Sequence, residues 1–395
     1  MKLYKNLVNA VAQTLQEIFT NRRYADKALE RLFKQNPQWG SRDRRFVAEG
    51  VYDVVRNYRL YAELAESPKN FWFITAVWLV IKEIEIPEWP EFRHLKKSEI
   101  LSRFQELKEN IPLFYSYPDW LWQEGVKELG ETKWQQEAIA MNEQAPVFIR
   151  ANTLKTSREK LKEALAADKI ETIVYGHTPD ALQLSKRENI FQHKLFKEGW
   201  FEVQDAGSQM ISSFVDPKPG ELVIDACAGA GGKSLHLAAL MKNKGKVMSL
   251  DVEGWKLDEL KKRARRAGAF NVETRAIEND TVLQLKNTAD KLLLDVPCSG
   301  LGVLKRNPDA KWKLSTEVMD KTKKIQAGIL NDYPVMLKPG GILVYSTCSI
   351  LPSENEEQVK TFLQQQPSFT LVKEKTIYPS EGSDGFYMAM IKKGV

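Results

Sequence analysis

Leu222-Val-Ile-Asp-Ala-Cys-Ala-Gly-Ala-Gly-Gly-Lys-Ser234 runs from an apolar strand through a glycine-rich turn into a helix. That order of elements is how parallel α/β sheets hold a nucleotide. Three motifs compete for the turn. A phosphate-binding GxxxxGK[ST] loop needs glycine five residues before Gly232, where Cys227 stands. A dinucleotide fingerprint starting at Gly229 needs glycine at the position of Ser234. What remains is an acidic strand end, Asp225, followed by a turn of Cys227, Ala228, Gly229, Ala230, Gly231, Gly232 and Lys233, close enough to accept an adenosyl ligand.

Downstream, strand-like runs at 221–225, 246–251, 272–276, 291–295 and 341–346 alternate with helices starting at Gly232, Gly254 and Ser315. Strict alternation predicts a Rossmann-like α/β domain over 206–395, a mostly parallel sheet with helices on both faces. Acids recur at its strand ends. Asp251 closes the second strand twenty residues after Gly231, where a carboxylate accepts from both ribose hydroxyls. Asp280 follows the third strand, within reach of an adenine amino group, and Asp295 ends the fourth. Any one could cap a helix, but the set on one carboxyl edge fits S-adenosyl-L-methionine.

Upstream, 144–205 reads as a small α+β module: a strand in Pro146-Val-Phe-Ile-Arg-Ala-Asn152, a helix at 157–167, and strands near 172–175, 181–184 and 199–203. Residues 1–143 are helical throughout. Leu7, Val11, Leu15 and Ile18 share one face of a first helix, Ser41 is placed as N-cap of a third, and 71–84 is apolar nearly all round. Pro87, Pro90, Pro112 and Pro118 punctuate a looser stretch before helices near 119–129 and 131–142.

Residues 1–11 set polar groups at helical spacing where a signal peptide needs an unbroken apolar core. No run is long and apolar enough to span a membrane. A cytoplasmic, monomeric protein with no membrane and no metal partner is expected. Only three cysteines occur, so free thiols in a reducing compartment are expected. The net charge of +6 allows an anionic partner such as RNA. Basic residues cluster at Arg42, Arg44, Arg45, Arg56 and Arg59, at 256–266, and at Lys305, Arg306, Lys311 and Lys313. Singly, each cluster reads most simply as a solvated helix face.

Cys298 and Cys348 lie fifty positions apart, each closing an apolar run: Leu-Leu-Leu-Asp-Val-Pro-Cys298-Ser-Gly and Leu-Val-Tyr-Ser-Thr-Cys348-Ser. An unpaired cysteine commonly acts as a small buried hydrophobe. Here a right-handed crossover makes the two strands parallel neighbours, about 4.8 Å apart, with both thiols at one edge facing the cofactor. Two thiols beside a methyl donor suit methylation of a pyrimidine at carbon 5, which a thiolate activates by adding to carbon 6. A second thiol can then assist the release step.

The combination Asp-Ala-Cys-Ala-Gly-Ala-Gly-Gly-Lys, Asp-Val-Pro-Cys-Ser-Gly, Arg-Asn-Pro-Asp-Ala-Lys-Trp and Ser-Thr-Cys-Ser-Ile-Leu-Pro-Ser-Glu-Asn-Glu resembles the Sun-type RNA cytosine-5 methyltransferases, above all the branch acting on bacterial 16S rRNA. The resemblance covers roughly 145–395 and includes the entry strand and Gln204-Asp-Ala-Gly-Ser208. It implies Cys348 as nucleophile, Cys298 as the residue that helps release product, and Asp295 near both methyl donor and base. The turn from Cys227 to Lys233, with Asp251 and Asp280, would hold the donor. DNA cytosine-5 methyltransferases use the Pro-Cys position as nucleophile, so this division comes from the family and not from spacing. In the family the turn commonly has Ala-Pro where Gly229-Ala230 stands. Residues 22–65 resemble the helical NusB-like RNA-binding domain that this branch carries, and 144–205 its ferredoxin- or RRM-like entry module. Arg150 and Asn152 of the entry strand and Lys305 and Arg306 after the Pro-Cys loop are predicted to line the RNA path. tRNA as substrate, an inactive RNA-binding assembly factor, and an ATPase or GTPase built on Gly232-Lys233-Ser234 are the competing readings.

Overall fold

The computed structural model describes residues 3–395. The chain forms two compact units, Met1–Glu143 with Leu304–Ser315, and Gln144–Val303 with Thr316–Val395.

In the first unit the helices Lys5–Thr20, Ser41–Arg56 and Phe71–Ile81 bury Val8, Val11, Leu15, Val47, Val51, Ile74, Val77 and Leu79 completely. The all-round apolar composition of Phe71–Ile81 follows from its place inside this core. Trp78 sits so close to the neighbouring helix that a Cβ on Gly50 would lie 2.8 Å from its ring. Ser41 is the first helical residue, not the cap: Gly40 holds that position, and no side chain bonds to the helix start. In the proline-rich stretch the structure adds the helices Lys97–Glu106 and Ile111–Phe114.

Residues Leu304–Ser315 belong to this unit, although the alternating pattern assigns them to the α/β domain. The reason lies in their polar groups. The buried Lys311 ammonium donates to Arg56 O at 2.9 Å and to Asn142 Oδ1 at 2.9 Å, and Trp312 Nε1 donates to Val55 O at 2.7 Å. Asp309 Oδ2 accepts from Ala25 N–H at 3.2 Å. An irregular loop cannot supply those acceptors itself, and a buried ammonium without them costs several kcal/mol.

The second unit contains two sheets. The strands β1 (Phe148–Ala151), β2 (Thr172–Val174), β3 (Ala181–Leu184) and β4 (Phe201–Val203) form an antiparallel sheet in the order β2-β3-β1-β4. Its helix, Arg158–Ala167, is capped as a serine at that place predicts: Ser157 Oγ accepts from Lys160 N–H. The larger sheet comprises β5 (Leu222–Asp225), β6 (Lys246–Asp251), β7 (Val272–Ala276), β8 (Ala289–Asp295), β9 (Leu337–Thr347), β10 (Phe369–Ile377) and β11 (Phe386–Lys393). Their order is β10-β11-β9-β8-β5-β6-β7. The strands β5 to β9 pair in parallel, while β11 runs antiparallel to both its neighbours. Two apolar clusters include residues of alternating direction from the same strands, such as Val223 and Leu293 in one, Ile224 and Leu292 in the other. That is the pattern of a sheet covered on both faces, and the Rossmann-like fold class is borne out.

Register positions the site. Asp225 pairs with Leu293, Asp295 with Ser346, and Asp251 with Ala276, so the C-terminal ends of β5 to β9 share one edge. Ligands of open α/β sheets bind at that edge.

Candidate active site and cofactor turn

The turn after β5 is held residue by residue. Gly229 N–H donates to Asp251 Oδ2 at 2.8 Å, while Asp251 Oδ1 accepts from Glu253 N–H at 2.8 Å. Gly231 adopts φ +88°, and a Cβ there would lie 2.3 Å from Leu260 Cγ, so only glycine lets the helix Gly254–Ala267 pack against the turn. Gly229, at φ +53°, has nothing within 4 Å of a Cβ position and leaves open space for a ligand. The Asp225 carboxylate is buried, accepting from Ser234 Oγ–H at 2.6 Å through Oδ2 while Oδ1 has no partner. An open glycine, a strand-end carboxylate with spare lone pairs at Asp251 and this orphaned oxygen fit an adenosyl ligand with its hydroxyl and ammonium donors. The Cys227 thiol, pushed well up by burial and by the charges of Asp225, Asp295 and Asp251, is an un-ionised wall of the same turn. Asp280 is exposed four residues beyond β7 and precedes the short helix Thr281–Gln284 without a side-chain cap bond.

Burial pushes the Asp225 carboxyl up to about 7, against the help of Ser234. The unfolded value lies lower, so the folded state binds the extra proton between about pH 4 and 7, and this group's contribution to stability is lost as pH rises through that window. Asp225→Asn protein is therefore expected to gain stability relative to the parent as pH rises from 4 to 7, by up to roughly 4 kcal/mol. Urea midpoints at pH 5 and pH 8 measure this, and a pH-independent difference contradicts it.

At the neighbouring strand ends the two thiols meet. Cys298 Sγ and Cys348 Sγ are 3.2 Å apart, and Cys348 N–H donates to Cys298 Sγ at 3.3 Å. Both cysteines are partly buried and free. The Cys298 thiol is held well above its ordinary value, first by its hydrogen bond to Cys348, then by burial, then by the charges of Cys348 and Glu354. Cys298 is thus held as a thiol at neutral pH. Asp295 stands beside them, accepting from Ser346 Oγ–H at 3.0 Å through Oδ1 and from the Lys233 ammonium at 2.6 Å through Oδ2. Burial alone lowers Lys233, but the Asp295 charge and hydrogen bond, with Cys348 and Asp225, outweigh it and hold the ammonium above its usual pKa.

The Pro-Cys turn is fixed by a group that the sequence reading leaves without a role. Glu354, fully buried, accepts from Ser299 N–H at 2.7 Å through Oε1 and from Ser299 Oγ–H at 2.5 Å through Oε2, and Gln326 Nε2 donates to Oε1 at 3.2 Å. Tyr345 Oη–H donates to Glu354 O at 2.7 Å, and Thr347 Oγ1–H to Asn355 Oδ1 at 2.5 Å. Glu354 and Asn355 lie in the Pro-Ser-Glu-Asn-Glu stretch that follows Cys348, so one segment holds both cysteine loops. Among the described residues, no group of His, Cys, Asp and Glu side chains is arranged to hold a metal ion, and no helix is long and apolar enough to cross a membrane.

Three of the four residues predicted to line an RNA path are placed elsewhere. Arg150 is 2% exposed, donating through Nη1 to Gln204 Oε1 at 2.5 Å and Gly232 O at 2.9 Å. Asn152, 3% exposed, ties Gly199 O and Ala267 O with its amide, each at 2.7 Å. Lys305 is 4% exposed, 4.0 Å from Glu143 Oε2. Side chains so enclosed offer no surface to a phosphate. For Arg150 the cause is that β1 is buried along its whole length, so neither of its faces points to solvent. Arg306 is partly exposed.

Residues 212–392 match the 16S rRNA methyltransferase RsmB/F family, and 117–190 match the ferredoxin-like domain of RsmF/B-like methyltransferases. A probable ribosomal RNA small subunit methyltransferase B of Synechocystis sp. is 30% identical over 96% of this chain and 97% of its own. One of Bacillus subtilis is 30% identical over 90% of this chain and 88% of its own. The crystal structure of PH0851 has a TM-score of 0.84 at 25% identity and full coverage of both chains. With a glycine turn, strand-end acids and paired thiols at one sheet edge, and with relatives matching nearly end to end, the chain belongs to the RsmB/F family of 16S rRNA methyltransferases.

Proposed function

We propose that this S-adenosylmethionine-dependent RNA methyltransferase methylates carbon 5 of a cytosine in 16S rRNA, through a bond between Cys348 and carbon 6 of the base. The carrying observation is the 3.2 Å approach of Cys298 Sγ to Cys348 Sγ, beside the Lys233–Asp295 pair. Bound at the turn, S-adenosylmethionine supplies an electrophilic methyl group.

Carbon 5 of cytosine is too weak a nucleophile to take that methyl unaided. The Cys348 thiolate forms a bond to carbon 6, and the ring's π pair moves to carbon 5. The carbon 5 pair bonds the methyl group while the donor's sulfur would keep the electrons of the broken bond, so carbon 5 then carries both a proton and a methyl group. When a water molecule takes the proton, the electron pair of that bond restores the double bond between carbons 5 and 6, and the bond to Cys348 breaks with its pair returning to sulfur. The Cys298 thiol, 3.2 Å from Cys348 Sγ, receives the departing thiolate in a hydrogen bond, which is how a second cysteine assists release. Asp295, oriented by Ser346 and Lys233, binds the base on one side and borders the cofactor on the other. The turn from Cys227 to Lys233, with Asp251 and Asp280, holds the cofactor.

Methylation at carbon 5 must displace the proton there. RNA labelled with tritium at cytosine carbon 5 is therefore expected to release one tritium per methyl group transferred. Methyl incorporation without tritium release, as methylation of the exocyclic amine would give, sinks the reading. Bisulfite mapping of cellular RNA with and without the gene names the molecule, and a modified cytosine found in tRNA instead of 16S rRNA overturns that part of it.

A further inference from the structure

Arg150 leaves the RNA path for a different place, and what it touches there is informative. Its register partner across the small sheet is Glu202 of β4. The Glu202 carboxylate, 2% exposed, accepts from Arg263 Nη2 at 2.9 Å and Arg266 Nη2 at 2.5 Å. Arg263 also donates through Nη1 to Ala230 O at 2.8 Å. Arg150 donates to Gly232 O, two residues further along the same turn, and to Gln204, whose amide donates to Ser208 Oγ at 3.1 Å. Two guanidiniums, one from the small antiparallel sheet and one from the helix after β6, thus grip alternate carbonyls of the cofactor turn. Glu202 offsets the positive charge between them.

We infer that Arg150 and Arg263 are positioning residues for the cofactor turn, so that the small sheet serves S-adenosylmethionine binding through the clamp Arg150–Gly232 O, Arg263–Ala230 O and Glu202. This rests on the assignment of the turn to the cofactor. The physical need is local. Gly229, Ala230, Gly231 and Gly232 form a run with three glycines and no proline, among the least conformationally restricted sequences a chain can have. Ordering such a run only when ligand arrives subtracts from affinity, whereas a turn already ordered does not. A carbonyl held outward by a guanidinium fixes its peptide plane, and with it the N–H on the opposite side. Arg150 retains its charge for this at neutral pH, although burial lowers it to about 10, because Glu202 and Asp180 face it. Each arginine is bonded to a carbonyl of the turn and acts through it.

The test uses the full chain and two ligands. Arg263→Gln is expected to weaken S-adenosylmethionine binding, by calorimetric titration, roughly tenfold to a hundredfold. Its affinity for 16S rRNA fragments and the salt dependence of that affinity should be unchanged. In the ligand-free protein, amide hydrogen exchange across 229–233 should accelerate while β5 and β6 stay protected. Arg263→Lys, which keeps the charge but loses the fork, should lie between. Glu202→Gln, which removes the charge that holds Arg263 and faces Arg150 with little change in volume, should shift cofactor affinity in the same direction and serves if Arg263→Gln does not fold. Unchanged cofactor affinity in a folded Arg263→Gln protein overturns the inference, as does a loss of RNA affinity with a shallower salt dependence, which marks an RNA contact. Failure of both parent and variant to bind S-adenosylmethionine at this turn, mapped by exchange protection, instead refutes the cofactor assignment.

Discussion

Cys298→Ala protein incubated with substrate RNA and S-adenosylmethionine is expected to accumulate a covalent protein–RNA adduct that survives denaturing electrophoresis, while Cys348→Ala protein forms none. The two thiols are 3.2 Å apart and nearly equivalent in exposure, so proximity alone does not divide their work. Their surroundings do. The Cys298 sulfur accepts the Cys348 amide, lies next to the Glu354-anchored turn, and is held in the protonated state by Cys348, burial and negative charge. A thiol so held is a poor nucleophile and a good hydrogen-bond donor. Cys348 counts among the negative groups that sustain the Lys233 ammonium. Cys348→Ala should lower turnover by a factor on the order of a thousand or more, the scale on which nucleophile removal acts. Cys298→Ala should permit adduct formation and methyl transfer but block release. The opposite assignment, with the adduct accumulating in Cys348→Ala, would falsify the proposed roles and transfer the nucleophile to the Pro-Cys loop.

The second large effect is expected at Lys233. Lys233→Met keeps the aliphatic stem and removes the ammonium from a pair whose side chains are 14% and 25% exposed. Asp295 then keeps the Ser346 hydroxyl but is an enclosed carboxylate without its cation. Two consequences follow from that charge change. Turnover should fall about a hundredfold, as when one preorganised electrostatic group is removed from an active site. The acidic limb of the rate–pH profile should move to higher pH, because a thiolate that loses a nearby cation forms less readily. Single-turnover rates from pH 6 to 10, with iodoacetamide labelling of Cys348 over the same range, separate the two. A hundredfold loss with an unmoved acidic limb in both assays would show that Lys233 acts on Asp295 or the cofactor alone.

Much of the α/β domain is legible before folding. The strands β6 and β7 and the helix starts at Gly232 and Gly254 lie where the alternation of strand-like runs with glycine-started helices puts them. The neighbouring parallel placement of β8 and β9 follows from crossover handedness. The reading fails where a side chain's partner is distant. Arg150 and Asn152 look like surface groups of an entry strand, yet Arg150 finds Gly232 and Asn152 finds Ala267, more than eighty positions away. Glu354 lies in a stretch singled out by its resemblance to a family, but its role depends on Ser299 and Gln326, which no local pattern connects to it. Lys305 and Lys311 read as a basic patch beside the Pro-Cys loop, yet both are buried in the helical unit, Lys305 near the Glu143 carboxylate and Lys311 on the Arg56 carbonyl.

By itself the chain's order determined the set of chemical parts: a glycine turn without a phosphate loop, acids at successive strand ends, and two cysteines closing adjacent strands. Those are local properties, carried by residue type and period, and they survive any arrangement of the elements that keeps the sheet. Only the tertiary structure decided which parts touch. It brought Cys298 and Cys348 to 3.2 Å, raised the Cys298 thiol well above its ordinary value, and turned Arg150 from solvent toward the cofactor turn. Hydrogen-bond partners and local electrostatics depend on strand register and packing between segments tens of residues apart, and those distances do not exist until the chain has folded.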